Sequence, residues 1–304
     1  MTIWCAPRTV FLASILIAKT QSTLDSAVAS QHSAELRSGE RFTFGENWRD
    51  FLRTVDESRI QVATESLKSI LGVTTLEGKR FIDIGSGSGL FSLAAHRLGA
   101  DVTSFDYDPS SVGCTLEMKA RYASGADRWR IMHGSALDPA FLSTLGTYDV
   151  VYSWGVLHHT GQMWNAIHNV LPMVRSGGLL FIAIYNDQGV WSKRWTKIKQ
   201  VYCSGQLGKL AVSSIFIPYW ILSGVKSDMI RLRAPWHSLA TYRKNRGMSP
   251  WHDWHDWLGG YPFEAAKPEA IILPIQQAGF ILRNLNTQFG SVGCVEYVFS
   301  RTES

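Results

Sequence analysis

Cysteine is scarce in this sequence. Cys5, Cys114, Cys203 and Cys294 form no CxxC pair and no zinc-ligand spacing. That argues against a disulfide scaffold or a structural zinc site and for reduced, cytoplasmic thiols. Internal repeats and low-complexity tracts are absent, which argues against a solenoid or a disordered chain. Long apolar runs are missing as well. Val10 to Ala18 is short, and Leu210 to Leu222 is interrupted by Pro218, whereas a spanning helix needs about 20 residues. Acidic residues are nearly absent from one segment: 191–250 holds eleven Lys or Arg and a single acid, Asp228. With a net charge of +5 overall, the remainder is net acidic. Such an asymmetry speaks of partners rather than of fold.

What is present is a globular composition. The chain has 304 residues, 45% of them hydrophobic, enough to bury a large core. Residues 1–40 read as a leader. Arg8 precedes the first apolar run and Ala27-Val28-Ala29 has the look of a cleavage site, a pattern resembling a signal peptide. A poorly ordered leader or a mis-called start is the preferred reading. An amphipathic stretch follows from Ser58 to Leu71 and ends at Gly72. Strands are then expected at Arg80–Ile84, Val102–Phe105, Trp129–Met132, Tyr148–Ser153 and Leu179–Tyr185. Helices fall between them at Leu90–Leu98, Ser110–Tyr122 and Met163–Val174. This alternation predicts an α/β fold with a parallel sheet and helices on both faces. Residues 186–262 break the pattern, being basic, aromatic and irregular. A helix at Pro268–Ala278 and strands at Phe280–Leu285 and Val295–Phe299 follow, the strands suiting an antiparallel hairpin. The organisation read from this is a core over 41–185, an insert over 186–262, and a C-terminal helix and hairpin over 263–304 that complete the core.

The first strand runs into the helix after it through Asp83-Ile84-Gly85-Ser86-Gly87-Ser88-Gly89-Leu90. Gly85, Gly87 and Gly89 let the backbone turn sharply and approach a ligand, and the helix start offers free N–H groups. In dinucleotide enzymes such a turn holds pyrophosphate. Here the spacing is GxGxG rather than GxGxxG, and Asp83 precedes it. A carboxylate there repels pyrophosphate and suits a ligand with an ammonium and a sulfonium, as in S-adenosylmethionine. Asp106 follows at the tip of the second strand, where a carboxylate accepts both hydroxyls of a ribose. Asp108, before Pro109, reads as a turn or helix cap. Tyr107 packs on the adenine or is simply a loop aromatic.

Residues from about 78 to 185 resemble the class I S-adenosylmethionine-dependent methyltransferase family, in the branch that includes ubiquinone-biosynthesis O-methyltransferases. The resemblance rests on Asp83–Gly89, on Asp106 and on Gly134-Ser135-Ala136-Leu137-Asp138. It continues in Tyr148-Asp149-Val150-Val151-Tyr152-Ser153-Trp154-Gly155-Val156-Leu157-His158-His159 and Val174-Arg175-Ser176-Gly177-Gly178. It implies a Rossmann-like, seven-stranded, mostly parallel sheet with a C-terminal antiparallel hairpin and an inserted helical lid. It implies S-adenosylmethionine as the cofactor, held by Asp83, Gly85, Ser86, Gly87, Gly89, Asp106 and Tyr107, with Ser135, Ala136, Ser153 and Trp154. The family's adenine loop commonly reads Gly-Asp-Ala. Here Ser135 replaces the acid and still accepts a hydrogen bond, while Asp138 is either a substitute or a cap before Pro139.

After the fourth strand, Ser153-Trp154-Gly155-Val156-Leu157-His158-His159 lacks the Asn/Asp-Pro-Pro-Tyr tetrapeptide that resembles amino-group methylation of bases. O-methylation of a small, hydrophobic, quinol-like acceptor is the first reading. Methylation of RNA or protein, or a non-catalytic cofactor-binding module, stand as alternatives. An acceptor hydroxyl must lose a proton, and histidine titrates in the right range. His159, with His158 beside it, is the candidate base, and Asp253, His255 and Asp256 are alternatives. The run Trp251-His252-Asp253-Trp254-His255-Asp256-Trp257 has residue types that can ligate metal. Its Trp and Gly content reads better as an ordered loop over the active site, so no metal is expected. The basic, aromatic segment 191–250 fits peripheral contact with an anionic membrane, RNA stacking, a pocket for a phosphorylated, nucleotide-linked or carboxylated small molecule, or a solvated face. The apolar run 210–222 favours the membrane, and no separate RNA-binding module is present. The expected location is cytoplasmic, at or near the membrane periphery. The oligomeric state stays open.

Overall fold

The computed structural model describes residues 29–246, 250–287 and 293–303. Arg8, the apolar run 10–18 and Ala27-Val28 lie outside the described residues. Five strands rich in Val, Ile and aromatic residues pair in parallel: β1 (Arg80–Ile84), β2 (Asp101–Asp106), β3 (Trp129–His133), β4 (Tyr148–Trp154) and β5 (Val174–Tyr185). β6 (Phe280–Asn286) and β7 (Cys294–Arg301) complete a seven-stranded sheet in the order β3-β2-β1-β4-β5-β7-β6. β7 runs antiparallel to both β5 and β6. This is the Rossmann-like sheet with a terminal hairpin that the sequence leads one to expect. From the centre the chain winds outward first through β2 and β3, then through β4 and β5. Such a reversal leaves a crevice at the carboxyl ends of β1 and β4.

Around the sheet stand a helical segment α1 (29–37), then α2 (Phe44–Leu52), α3 (Glu57–Leu71), α4 (Leu90–Arg97), α5 (Pro109–Tyr122), α6 (Pro139–Leu145) and α7 (Met163–Val170). They continue as α8 (Val190–Cys203), α9 (Gln206–Ile230), α10 (His237–Arg246), α11 (Pro250–Gly259) and α12 (Pro268–Gln277). Alternate residues of the central strands feed two cores. Ile82, Val151, Leu180 and Ile182 pack with α6, α7 and α12. Phe81, Val102, Val150 and Phe181 pack with α3, α4 and α5. Each fully buried side chain of this kind stabilises by about 1.5–3 kcal/mol. α3 shows how local sequence sets an element: Asp56 caps its start by accepting from Arg59 N at 2.9 Å, and Gly72, at φ 67°, ends it.

Several expectations need correction. Residues 29–37 are helical and pack into the molecule rather than trailing as a leader. α7 stops at Val170 because Pro172 follows, and β5 starts at Val174 rather than Leu179. The Trp-rich run read as a loop is the helix α11, with Pro250 at its first position, where a missing N–H costs nothing. The run 210–222 is not broken by Pro218: it lies inside α9, a single helix of 25 residues. Pro218 is exposed, so the carbonyl freed one turn earlier lies on the solvent side. α8 to α11 form the helical insert between β5 and α12. Tyr202, Val212 and Leu258 are its own small buried cluster.

Candidate active site

A cavity of about 980 Å³ opens at the carboxyl ends of β1, β2 and β4. Asp83, Gly85, Ser86, Gly87, Asp106, Tyr107, Ser135, Ala136, Trp154, His159 and Asp256 all line it. Two of the glycines are required by their surroundings. Gly85 has φ +77°, and a Cβ there would stand 2.4 Å from the Val156 side chain. Gly87 has φ +54° and a Cβ would meet the Trp48 ring at 2.9 Å. A side chain at either position would close the turn against the cavity wall.

Three candidates do not reach the cavity. Gly89 caps α4 and lies against Thr115. Ser153 is fully buried and donates to the Ile84 carbonyl at 3.0 Å, tying β4 to β1. His158 is fully buried behind the site, its ring 4.2 Å from Tyr185 and 4.4 Å from His159. Burial holds its pKa well below the ordinary histidine range, so it is a packed, neutral side chain.

Of the two acids flanking the turn, Asp83 is buried and Asp106 half-buried, and neither has a Lys or Arg ion partner among the described residues. Asp83 accepts from Ser92 Oγ at 2.5 Å. Burial, with Asp106 as a like charge, pushes its pKa up to about 7. Asp106 accepts from Gly87 N and from Asp108 N, each at 2.9 Å, and burial lifts it to about 6. Such a pair of carboxylates next to a glycine turn is an acceptor set that a ligand with an ammonium and two hydroxyls satisfies. Asp108 caps α5 through Ser110 N and also accepts from Gly45 N, each at 2.8 Å. Asp138 caps α6 through Ala140 N and Phe141 N, and Ser135 Oγ accepts from Leu137 N at 3.1 Å.

The other end of the cavity is built by the mouth loop, α2 and α11. His159 donates Nδ1–H to the Pro262 carbonyl at 2.6 Å, which leaves Nε2 as the acceptor nitrogen. Burial, reinforced by the Lys199 and Arg41 cations, holds His159 down to about 3. Asp256 accepts a hydrogen bond from Asn47, and burial raises it to about 7. Phe42, Phe44, Tyr185 and Trp257 supply an aromatic wall. Gly260 marks where these groups meet: a Cβ there would lie 3.2 Å from His159 Cε1 and 3.4 Å from Lys199 Nζ.

Two sets of residues escape a sequence reading. Lys199 is buried, donates to the Trp257 carbonyl, and lies 4.7 Å and 5.1 Å from the Trp257 and Phe263 rings. Burial lowers it to about 7. Nothing in the sequence separates it from the ten other cations of its segment. The second set is the strap formed by α1, α2 and their connection. Glu35 accepts from Tyr107 Oη at 3.1 Å, and Arg41 stacks over the Tyr107 ring at 4.7 Å. Arg41 also donates to the His159 carbonyl at 3.1 Å. The aromatic spacing of Phe42, Phe44 and Trp48 is the one sequence signal by which this strap could have been found.

Residues 55–255, about two thirds of the chain, match the family model described as a methyltransferase domain. The chain belongs to that methyltransferase family. Among curated proteins, it is 33% identical over 111 residues to the ubiquinone biosynthesis O-methyltransferase of Sinorhizobium fredii, covering 36% of this chain and 43% of that one. It is 28% identical over 159 residues to the mitochondrial protein of the same name in Schizosaccharomyces pombe, covering 50% and 56%. The chain thus spans about half the length of the curated relatives it matches. Among solved structures, magnesium protoporphyrin IX methyltransferase from Synechocystis with bound S-adenosylhomocysteine aligns at a TM-score of 0.49 and 15% identity, covering 84% of this chain and 94% of that one. This methyltransferase uses S-adenosylmethionine as its methyl donor.

Proposed function

We propose that this methyltransferase methylates an oxygen of a small, largely apolar, quinol-like acceptor, and that Asp256 receives the acceptor's proton. The observation that carries the reading is the Asp256 carboxyl. It is half-buried, fixed by Asn47, and shares one aromatic-walled cavity with the glycine turn. S-adenosylmethionine supplies an electrophilic methyl group. Asp83 compensates its ammonium and Asp106 accepts from its ribose hydroxyls. Ser86, Gly87 and Tyr107 line the same end of the cavity, and Ala136 offers its backbone to the adenine. At the other end, a carboxyl ionising at about 7 is matched to taking a proton near neutrality. His159, the first candidate from the sequence, is a weak base at about 3. Its Nε2 is suited instead to accept from the acceptor hydroxyl and aim it. The names of the curated relatives support an oxygen acceptor. α1 and α11 cover the cavity, which favours a small acceptor over RNA or protein.

The test is transfer of labelled methyl groups from S-adenosylmethionine to simple catechols and hydroquinones, alongside RNA and protein fractions. Label in the phenolic ether is expected. Label confined to RNA or protein would overturn the reading. Asp256→Asn is expected to lower kcat/KM by roughly 10²–10⁴-fold while leaving the affinity for S-adenosylhomocysteine unchanged.

A further inference from the structure

α9 is apolar on the side turned away from the protein. Its inward stripe, Phe216 and Trp220 with Val212, packs on Tyr202, Trp254 and Trp257. Its outward stripe, Leu207, Leu210, Ile215, Tyr219 and Leu222, is 61–84% exposed. A surface helix normally turns polar residues outward. Scattered exposed leucines need no explanation, but a contiguous apolar row marks an interaction surface. The row runs on through Met229 and Ile230 at the end of the helix and past it through Leu232 and Trp236, all 60% exposed or more.

Charge identifies the occupant. Lys226, Arg231 and Arg233 are exposed at the end of this row. The single acid of the segment, Asp228, is buried and accepts from both the N–H and the hydroxyl of Ser238. Between residues 190 and 241 no carboxylate therefore faces outward. A second copy of the chain on this face would bring two cationic inserts together, at a like-charge cost. An apolar row ending in cations fits a layer whose interior is hydrocarbon and whose surface is anionic.

Among the described residues α9 is the one helix long and apolar enough to cross a membrane. Its inward stripe is committed to the aromatic layer of the lid, however, and Trp257 in that layer also lines the cavity. Spanning would strip the stripe from that layer, whereas lying flat keeps it. We propose that the outward face of α9 and the turn after it dock on an anionic phospholipid bilayer, with the helix axis in the membrane plane. The inference rests on the lid's outer surface and holds whatever acceptor the cavity takes.

The experiment is flotation of the full chain with vesicles of phosphatidylcholine alone or mixed with phosphatidylglycerol. Flotation with the mixed vesicles, weakened by high salt, is expected. Leu210→Glu with Leu222→Glu is expected to abolish it. Neutralising Lys226, Arg231 and Arg233 to Gln is expected to lower partitioning roughly fivefold for each cation. Both variants should keep the thermal shift with S-adenosylhomocysteine, which establishes that they fold. They should also keep methyl transfer to a soluble phenol, so a failure here is distinct from a failure of the oxygen-methylation reading. No flotation of the unaltered chain with mixed vesicles overturns the proposal. So does a concentration-dependent dimer that the two Leu→Glu changes disperse.

Discussion

Asp83 and Asp106 are raised to about 7 and about 6 chiefly by burial. A raised carboxyl is partly protonated in the empty site up to its folded pKa, and a bound cation favours its charged form. Binding S-adenosylhomocysteine, which retains the ammonium, must therefore release protons below about pH 7. Affinity is expected to rise from about pH 5 to about pH 7 and then level off. Calorimetry in buffers of different ionisation enthalpy reads the released proton directly, and a pH-independent affinity would remove Asp83 from the ammonium site. Asp106→Ala is expected to abolish the thermal shift with S-adenosylhomocysteine. Asp108→Ala is expected to keep the shift and lower stability by about 1 kcal/mol, the usual cost of a lost helix cap. That second role was legible because Pro109 follows Asp108. The inward placement of His158 and Ser153 was not. Residues 148–153 of β4 are buried on both faces, so period-two alternation carries no information there.

At the scale of elements, the strands and the helices between them were legible because buried runs and turn glycines alternate cleanly. The insert was legible as a helical lid, but its individual helices were not, for a physical reason: they pack aromatic residues on one side and leave apolar residues exposed on the other. α11 did carry a helical signal in the spacing of Trp251, Trp254 and Trp257, masked by the glycines after it. α1 lay inside a segment whose first residues resemble a signal. Yet the strap it belongs to binds both ends of the cavity, through Tyr107 and Glu35 on one side and Asn47 and Asp256 on the other. Arg41 makes the central contact, with the His159 carbonyl. A hydrogen bond from a charged donor contributes about 1.5–3 kcal/mol. Arg41→Ala is therefore expected to speed S-adenosylhomocysteine release on the order of tenfold. Stopped-flow displacement measures it, and an unchanged rate would make the strap a bystander.

At the scale of the molecule, two large cores hold the sheet while the lid has only a small one. Tyr202, Val212 and Leu258 are its buried members, against the long runs of buried strand residues on both faces of the sheet. Opening free energy follows local burial, so elements with few buried apolar contacts exchange their amide hydrogens first. Backbone amides of α8, α9 and α10 are expected to exchange well before those of β1, β4 and β5, through an opening short of global unfolding. α11 should behave differently from its neighbours. It is tied to the core side through Asn47 on Asp256 and through Lys199 on the Trp257 carbonyl, and an acceptor in the cavity would add contacts to Trp257. Hydrogen exchange with an acceptor analogue and S-adenosylhomocysteine together should protect α11 and the strap most. S-adenosylhomocysteine alone should protect the glycine turn and the strap. If lid and sheet exchange at one common rate, the lid is a rigid part of the core, and acceptor entry must then run through the cavity mouth beside Trp154 and Gln162.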